Sequence, residues 1–270
     1  MGRYDQNAKV YAKWLKEGRG QGQKQNYKPW LYVYNVPSRG RSHRIWSYTS
    51  NRVVHCLSDL ELSVFLLLEW SSVVEDIREQ FPLDLQTTLS IARDLEFRHP
   101  MLRGEKIVMT TDFLALTPSK SEPYAALQVK PDSELNDPRV KEKLAIEKAY
   151  WNSLNIHFET VSESSIDYVK VTNIKWLLPY TQCLMPQKAI AEAVVFWQQV
   201  TREYPDEKLL DLTNVVDDMR NDVSGTGLGE IRDLLACRAA SFDMSKPYIK
   251  LCASDICFPQ SLAIIDWSIL

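Results

Sequence analysis

The chain has 270 residues, of which 45% are hydrophobic and 25% are charged. This balance is that of an ordinary globular protein with one or two domains, and it excludes a wholly disordered or fibrous chain. The longest apolar run, residues 64–68, is far shorter than the ~20 residues of a membrane-spanning helix, so we expect no membrane association.

Charge is distributed unevenly along the chain, although the net charge is only −3. Residues 1–55 contain eleven Lys or Arg and two acidic residues, a net charge of +9, whereas residues 56–270 have a net charge of −12. A basic N-terminal arm on an acidic body favours a polyanionic partner, the alternative being a solvated tail. Aromatic residues between the basic ones favour nucleic acid as that partner; they are Trp14, Tyr27, Trp30 and Tyr34.

The cysteines and the N-terminus indicate a cytoplasmic protein. The five cysteines form no C-x-x-C pair, and an odd, scattered set is typical of reduced thiols rather than of disulfides or structural zinc. The N-terminal residues are polar and basic, without the apolar segment of a secretory signal.

Patterns in the first part of the chain predict mixed helices and strands. Residues 5–17 predict a short basic helix, followed by a flexible loop at 18–28 and a hairpin from 45 to 55. Ser58 begins a buried helix that runs to about Trp70. The further elements expected are a strand at 73–81, a short helix at 87–95, strands at 107–116, 124–130 and 156–161, and a long helix from Asp137, with Pro138 at its first position, to about residue 154.

The pattern becomes mostly helical after residue 162. The elements expected there are helices at 166–178, 187–203, 206–222 and 230–240, a glycine-rich break at 225–229, and a small strand or wing at 247–252. We therefore expect an α/β domain at residues 1–165 and a mainly helical domain at residues 166–270.

Polar residues on two neighbouring strands of the first domain predict a pocket. Asp112 lies in the apolar strand 107–116, and Gln128 and Lys130 lie two apart on the next strand. Because side chains alternate along a strand, Gln128 and Lys130 share one face. Glu61, on the buried helix, can complete the pocket.

This set of side chains suits metal-dependent hydrolysis of a phosphodiester. Mg²⁺ prefers oxygen ligands, which Glu61, Asp112, the Gln128 side chain and the Val129 carbonyl can supply. We expect two Mg²⁺ ions, for which Mn²⁺ can substitute, to clamp the attacking and leaving oxygens. Lys130 can orient the attacking water or stabilise the developing charge.

Simpler interpretations of these residues remain open. Glu61 follows Ser58 by three residues, so this pair is also a capping box. Gln128 and Lys130 can form the solvated face of an amphipathic strand. A carboxylate in a strand as apolar as that of Asp112 needs a partner or a metal.

Several sequence blocks resemble the TnsA family, the endonuclease subunit of heteromeric cut-and-paste transposons. In family order, the blocks are EGRGQG (17–22), SRGRSHRI (38–45), LSDLELSVFLLLEW (57–70), DIREQFPL (76–83), TDFL (111–114) and QVKP (128–131). They span most of residues 9–160, and beyond residue 165 the resemblance thins to IKWL (174–177) and GEIR (229–232).

The resemblance implies a restriction-endonuclease-like core and a winged-helix-like C-terminal domain. It places the metal-binding catalytic acids on Glu61 and Asp112 and the catalytic lysine on Lys130. Gln128 stands where most such nucleases have an acidic residue, as is usual for TnsA. The neutral amide removes one negative charge, so we expect weak intrinsic metal binding.

The resemblance also implies a function and partners. The function is cleavage of the transposon 5′ ends, with a DDE transposase, TnsB, making the 3′ cuts and an AAA+ regulator, TnsC, coupling both to target choice. Arg41, His43 and Arg44 are candidate DNA-binding residues. The alternatives are a free-standing restriction or repair nuclease and a DNA-bound assembly factor without catalysis.

Overall fold

A computed structural model of the chain describes residues 8–36, 40–118, 123–182 and 184–259. The chain divides into two compact units, Met1–Ile166 and Asp167–Leu270. Residues 5–7 of the first predicted helix, Arg39 and Cys183 lie outside the described residues. No helix in the described ranges has the length and apolarity needed to cross a membrane.

The first unit begins with a basic helix, α1 (Ala8–Lys16), and a hairpin of β1 (His43–Ser47) and β2 (Arg52–Cys56). The two strands pair antiparallel, which confirms the predicted hairpin. Helix α2 (Asp59–Trp70) follows, and the Ser58 hydroxyl accepts the Glu61 N–H as its N-cap, as predicted.

The described part of the basic N-terminal arm contributes buried aromatic side chains to the first unit. Trp14 and Trp30 are buried against each other with ring centroids 5.2 Å apart, and Tyr27 is also buried. The interpretation of these three aromatic residues as nucleic-acid contacts is therefore wrong, because their rings form core contacts. Of the four aromatic residues named for that role, Tyr34 is the exposed one.

A four-stranded mixed sheet forms the centre of the first unit. Its strands are β3 (Asp76–Pro82), β6 (Thr110–Leu116), β7 (Tyr124–Val129) and β8 (His157–Val161), in the order β3-β6-β7-β8. The pairs β3–β6 and β6–β7 are antiparallel, whereas β7–β8 is parallel. A small hairpin of β4 (Met101–Leu102) and β5 (Glu105–Lys106), which the sequence did not predict, precedes β6.

Two helices of the first unit cover the sheet. Helix α3 (Leu85–Asp94) has Asp84 as its N-cap, and α4 (Pro138–Ser153) connects the parallel strands β7 and β8. Asp137 accepts the first backbone N–H groups of α4, which confirms the predicted cap. Apolar residues of α4 and the sheet form one buried cluster.

The second unit is mainly helical, with α5 (Tyr168–Leu177), α6 (Gln187–Glu203), α7 (Leu209–Arg220) and α8 (Thr226–Ala236). The predicted break at 225–229 is wrong, because Gly227 lies inside α8. A Cβ at Gly227 would come within 3.0 Å of Asp217 Oδ1 and the Thr213 carbonyl oxygen. Glycine therefore permits close approach of α7 and α8 here, rather than ending a helix.

The predicted strand or wing at 247–252 is also absent. Tyr248–Lys250 forms a 3₁₀ turn, and the described residues of the second unit contain only two isolated bridges, Lys208↔Cys252 and Ser241↔Cys257. The Tyr248 N–H donates to Asn173 Oδ1 at 2.9 Å, and its ring stacks on Trp176 with centroids 4.5 Å apart. These contacts with α5 favour the turn over an extended strand.

Candidate active site

The four predicted residues of the pocket lie together at one end of the central sheet. Asp112 is on β6, and Gln128 is on β7 one register step beyond the pair Phe113↔Leu127. The Gln128 side-chain oxygen accepts the Asp112 backbone N–H at 3.1 Å. Both residues are buried.

The Asp112 carboxylate is fixed by donors on both oxygens. Its Oδ2 accepts the Val129 N–H at 2.8 Å, and its Oδ1 accepts the Gln80 side-chain amide at 2.9 Å. Lys130 Nζ lies 3.7 Å from Oδ2 and donates to the Val129 carbonyl at 2.8 Å. Hydrogen bonds from Gln80 on β3 and Val129 on β7, together with the nearby Lys130, therefore hold the Asp112 carboxylate in place.

Glu61 both caps α2 and contributes to the pocket. Its carboxylate accepts the Leu57 N–H at 2.8 Å and the Ser58 hydroxyl at 3.1 Å, so it holds the residues just before α2. Of the predicted capping box, the half formed is the hydrogen bond from the Glu61 N–H to the Ser58 hydroxyl. Burial, and secondly the nearby charge of Asp112, raises the pKa of Glu61 to about 8. A helix cap alone would not require this burial beside a second acid.

Gln80 is the site residue that sequence reasoning missed. It lies on β3 across from Asp112, so Gln80, Asp112 and Gln128 follow one another across three strands. Its backbone has φ +48°, an uncommon value for a residue with a side chain. Its amide nitrogen also lies 3.5 Å from Glu61 Oε2, and its oxygen accepts the Thr110 hydroxyl at 3.0 Å. Strained backbone of this kind is concentrated at functional sites.

A third carboxyl group, Glu147 on α4, lies behind the sheet. It is buried and accepts the Thr111 hydroxyl at 2.6 Å, and Thr111 in turn accepts the Trp151 indole N–H at 2.8 Å. Burial raises the pKa of Glu147 to about 8 from its ordinary 4.5. The group is therefore mostly protonated at neutral pH.

The Glu147→Gln variant is expected to gain stability at high pH. Because folding raises this pKa, the contribution of Glu147 to stability is greatest below about pH 4.5 and is lost as the pH rises through about 8. Glutamine keeps the acceptor for Thr111 without a charge, so the gain at pH 9 should be on the order of 2–4 kcal/mol and should vanish near pH 5. Thermal unfolding at both pH values measures it. An equal effect of Glu142→Gln on the solvent-accessible side of α4 would contradict this assignment.

The donor set of the pocket fits a hard divalent cation. Glu61, Asp112, the Gln128 amide and the Val129 carbonyl offer only oxygen, which suits Mg²⁺ or Mn²⁺ better than zinc. Two carboxylates buried beside each other repel, and a cation bound between them would offset that repulsion. Across the described ranges, no group of three or more His, Cys, Asp or Glu side chains is arranged to hold a metal ion. Neutral oxygens therefore have to complete any metal site.

The three predicted DNA-binding residues do not form one surface. Arg41 and His43 both contact Asp59, at 3.4 Å and 2.6 Å respectively. The hydrogen bond from His43 is the main cause of the lowered pKa of Asp59. Arg44 is exposed and follows His43 on β1, so its side chain points to the opposite face of the strand.

Known protein families and a known protein match most of the chain. Residues 71–163 match the family model "TnsA-like endonuclease N terminal", and residues 165–244 match "TnsA endonuclease C terminal". The chain is 41% identical over 251 residues to the transposon Tn7 transposition protein TnsA of Escherichia coli, and the match covers 92% of this chain and 91% of that protein.

Proposed function

The chain belongs to the TnsA family of transposition endonucleases, and we propose that it is the Mg²⁺-dependent subunit of a heteromeric transposase that cuts the 5′ ends of its transposon. Family membership makes it a nuclease that uses a divalent metal ion. The observation that carries the finer proposal is the buried approach of Glu61 and Asp112 beside Gln128 and Lys130.

Each residue of the pocket has a proposed role. Asp112 and Glu61 hold the metal, and the Gln128 amide oxygen and Val129 carbonyl are neutral ligands. Each of these carbonyl oxygens accepts one hydrogen bond and has a second lone pair. Two Mg²⁺ ions, or Mn²⁺ in their place, would activate water and neutralise the scissile phosphate. Lys130, 3.7 Å from Asp112, is positioned to stabilise charge that develops on the phosphate.

The neutral Gln128 suggests how activity is restrained. A pocket with two carboxylates attracts a cation less strongly than one with three, and Glu61 must lose its proton before it can bind one. We infer that the scissile phosphate supplies an additional ligand. Metal occupancy then depends on delivery of DNA to the site.

Gln80→Leu is expected to weaken Mn²⁺ binding by about 10- to 100-fold, the usual loss when a hydrogen-bonding partner of a metal ligand is removed. Gln80 orients Asp112 through the 2.9 Å hydrogen bond, and leucine has similar size without a donor. Calorimetric titration of Mn²⁺ into the full chain with uncleavable DNA measures the change, with Gln86→Leu on the surface of α3 as the control. Unchanged affinity in Gln80→Leu would remove Gln80 from the site.

The proposal extends to the two domains of the chain and to its partners. We propose a restriction-endonuclease-like catalytic domain at residues 1–165 and a winged-helix-like domain at residues 166–270. The helices α6–α8 are compatible with a winged-helix-like domain, although the described residues of this unit do not form the β-hairpin that serves as the wing. The partners proposed are transposon-end DNA, the transposase TnsB and the AAA+ regulator TnsC, in the cytoplasm. Arg41, His43 and Arg44 remain candidate DNA contacts.

A strand-specific nicking assay tests this function. The full chain, the partner transposase and transposon-end DNA are combined with or without Mg²⁺, with the label on either strand. Mg²⁺-dependent cuts at the 5′ ends are expected. Equal cutting of unrelated duplex DNA would indicate a free-standing nuclease, and no cutting with intact DNA association would indicate an assembly factor.

A further inference from the structure

A groove leads from the active site along α4. A cavity of about 260 Å³ is lined on one side by Gln128 and Lys130 and on the other by Lys143 and Glu147. A second cavity, of about 350 Å³, is lined by Arg98, Arg139 and Lys143 and shares Pro100, Ile107 and Lys143 with the first. The two cavities therefore adjoin each other along α4, and together they are called the channel here, which starts beside Lys130.

Positive charge dominates this channel. Partial burial, followed by the charges of Arg139 and Lys130, lowers the pKa of Lys143. The acidic residues near Lys143 neutralise only part of the positive charge of the channel. Glu147 is mostly protonated at neutral pH, and Glu142 is ion-paired with Arg139. Glu134, which lines the first cavity, and Asp137 affect the pKa of Lys143 less than Arg139 and Lys130 do.

Among the described residues, two of these cations have no acidic side chain within ion-pair distance. Within the described residues, the side chains of Arg98 and Lys143 make neither a hydrogen bond nor an ion pair. Like charges that converge without an acid repel one another, and an anion bound between them would remove that cost. The ligand that fits an elongated cationic channel is a chain of phosphates rather than a single carboxylate.

We propose that Lys143, with Arg98 and Arg139, binds a backbone phosphate of the DNA next to the scissile phosphate. This inference rests on the proposed function and adds a second contact that sets the register of the strand. Contacts of this kind position DNA without reading its sequence. The channel begins at Lys130, so the bound strand would run from the metal pocket along α4 towards Arg98.

The test compares two lysines of the same helix. Lys143→Ala and Lys141→Ala are prepared in the full chain, since both lysines are exposed on α4 but Lys141 does not line the channel. Binding to labelled transposon-end duplex is followed by anisotropy in EDTA, from 50 to 200 mM salt. Lys143→Ala should bind at least ~3-fold more weakly at 50 mM salt, with a salt slope smaller by about one. Lys141→Ala should bind like wild type.

Neutral phosphate analogues identify the contact. Single methylphosphonates are placed in turn around the cleavage position. One of them should weaken wild-type binding and have no further effect on Lys143→Ala. If wild type binds DNA, and Lys143→Ala matches Lys141→Ala with every analogue, this inference is overturned while the proposed function stands. If the wild type alone fails to bind DNA at 50 mM salt, this inference is overturned, whereas the proposed function, in which the transposase delivers the DNA, is decided separately by the nicking assay.

Discussion

Replacing Asp112 with asparagine is expected to abolish DNA cleavage, a loss of at least ~10³-fold or about 4 kcal/mol in the barrier. Asp112 is the charged residue at the centre of the pocket, with hydrogen bonds from Val129 and Gln80 and Lys130 3.7 Å away. Asparagine retains an oxygen that can accept the Val129 N–H but has no charge for a metal. The fold should survive, because the change removes a buried anion rather than a packing contact.

The measurement is a single-turnover cleavage rate with the partner transposase present. DNA binding and thermal unfolding of Asp112→Asn should remain close to wild type, and Asp94→Asn, at the exposed end of α3, should cut normally. A variant at Asp112 that cuts at the wild-type rate would show that chemistry occurs elsewhere. A variant that fails to fold would make the loss of cleavage structural.

The second large effect expected is dependence on the transposase. With Mg²⁺ alone, the full chain should cut transposon-end DNA at least ~10²-fold more slowly than with the transposase, because misplaced reacting groups cost rates of this order. Residues 56–270 have a net charge of −12, which opposes DNA binding outside the basic segments. The neutral Gln128 leaves metal binding dependent on a correctly placed phosphate.

Cleavage rates with and without the transposase, at equal protein and Mg²⁺ concentrations, measure this dependence. A truncated chain that ends near Val161 provides the comparison for the second unit. It should retain the pocket and lose coupling to the regulator. Efficient cutting of arbitrary duplex DNA by the full chain alone would contradict this restraint and favour a free-standing nuclease.

Features that depend on local chemistry could be predicted from the sequence. The caps at Ser58 and Asp137 follow from side chains that accept N–H groups within the first helical turn. The approach of Asp112 and Gln128 follows from side-chain alternation on adjacent antiparallel strands. These predictions needed only the repeat of side-chain directions within a helix or strand and the identity of the element that follows it in the chain.

Features that depend on distant contacts could not be predicted in this way. Gln80 reaches Asp112 because its backbone leaves the strand conformation where Trp30 donates to its carbonyl, 50 residues away in sequence. The glycines at 225–229 predict a break because glycine is typical of helix ends, whereas Gly227 makes room for Asp217. Tyr248 forms a turn because of its contacts with α5.

The central claim is that the Glu61–Asp112 pocket holds a metal ion that contacts the scissile phosphate. A phosphorothioate at that phosphate tests it most directly, because sulfur is a poor ligand for hard Mg²⁺ and a better one for Mn²⁺. We predict that one sulfur diastereomer is cut slowly in Mg²⁺ and that Mn²⁺ restores the rate, with the full chain and transposase present. Equal slowing in both metals, or no slowing with either diastereomer, would contradict direct metal contact with the phosphate.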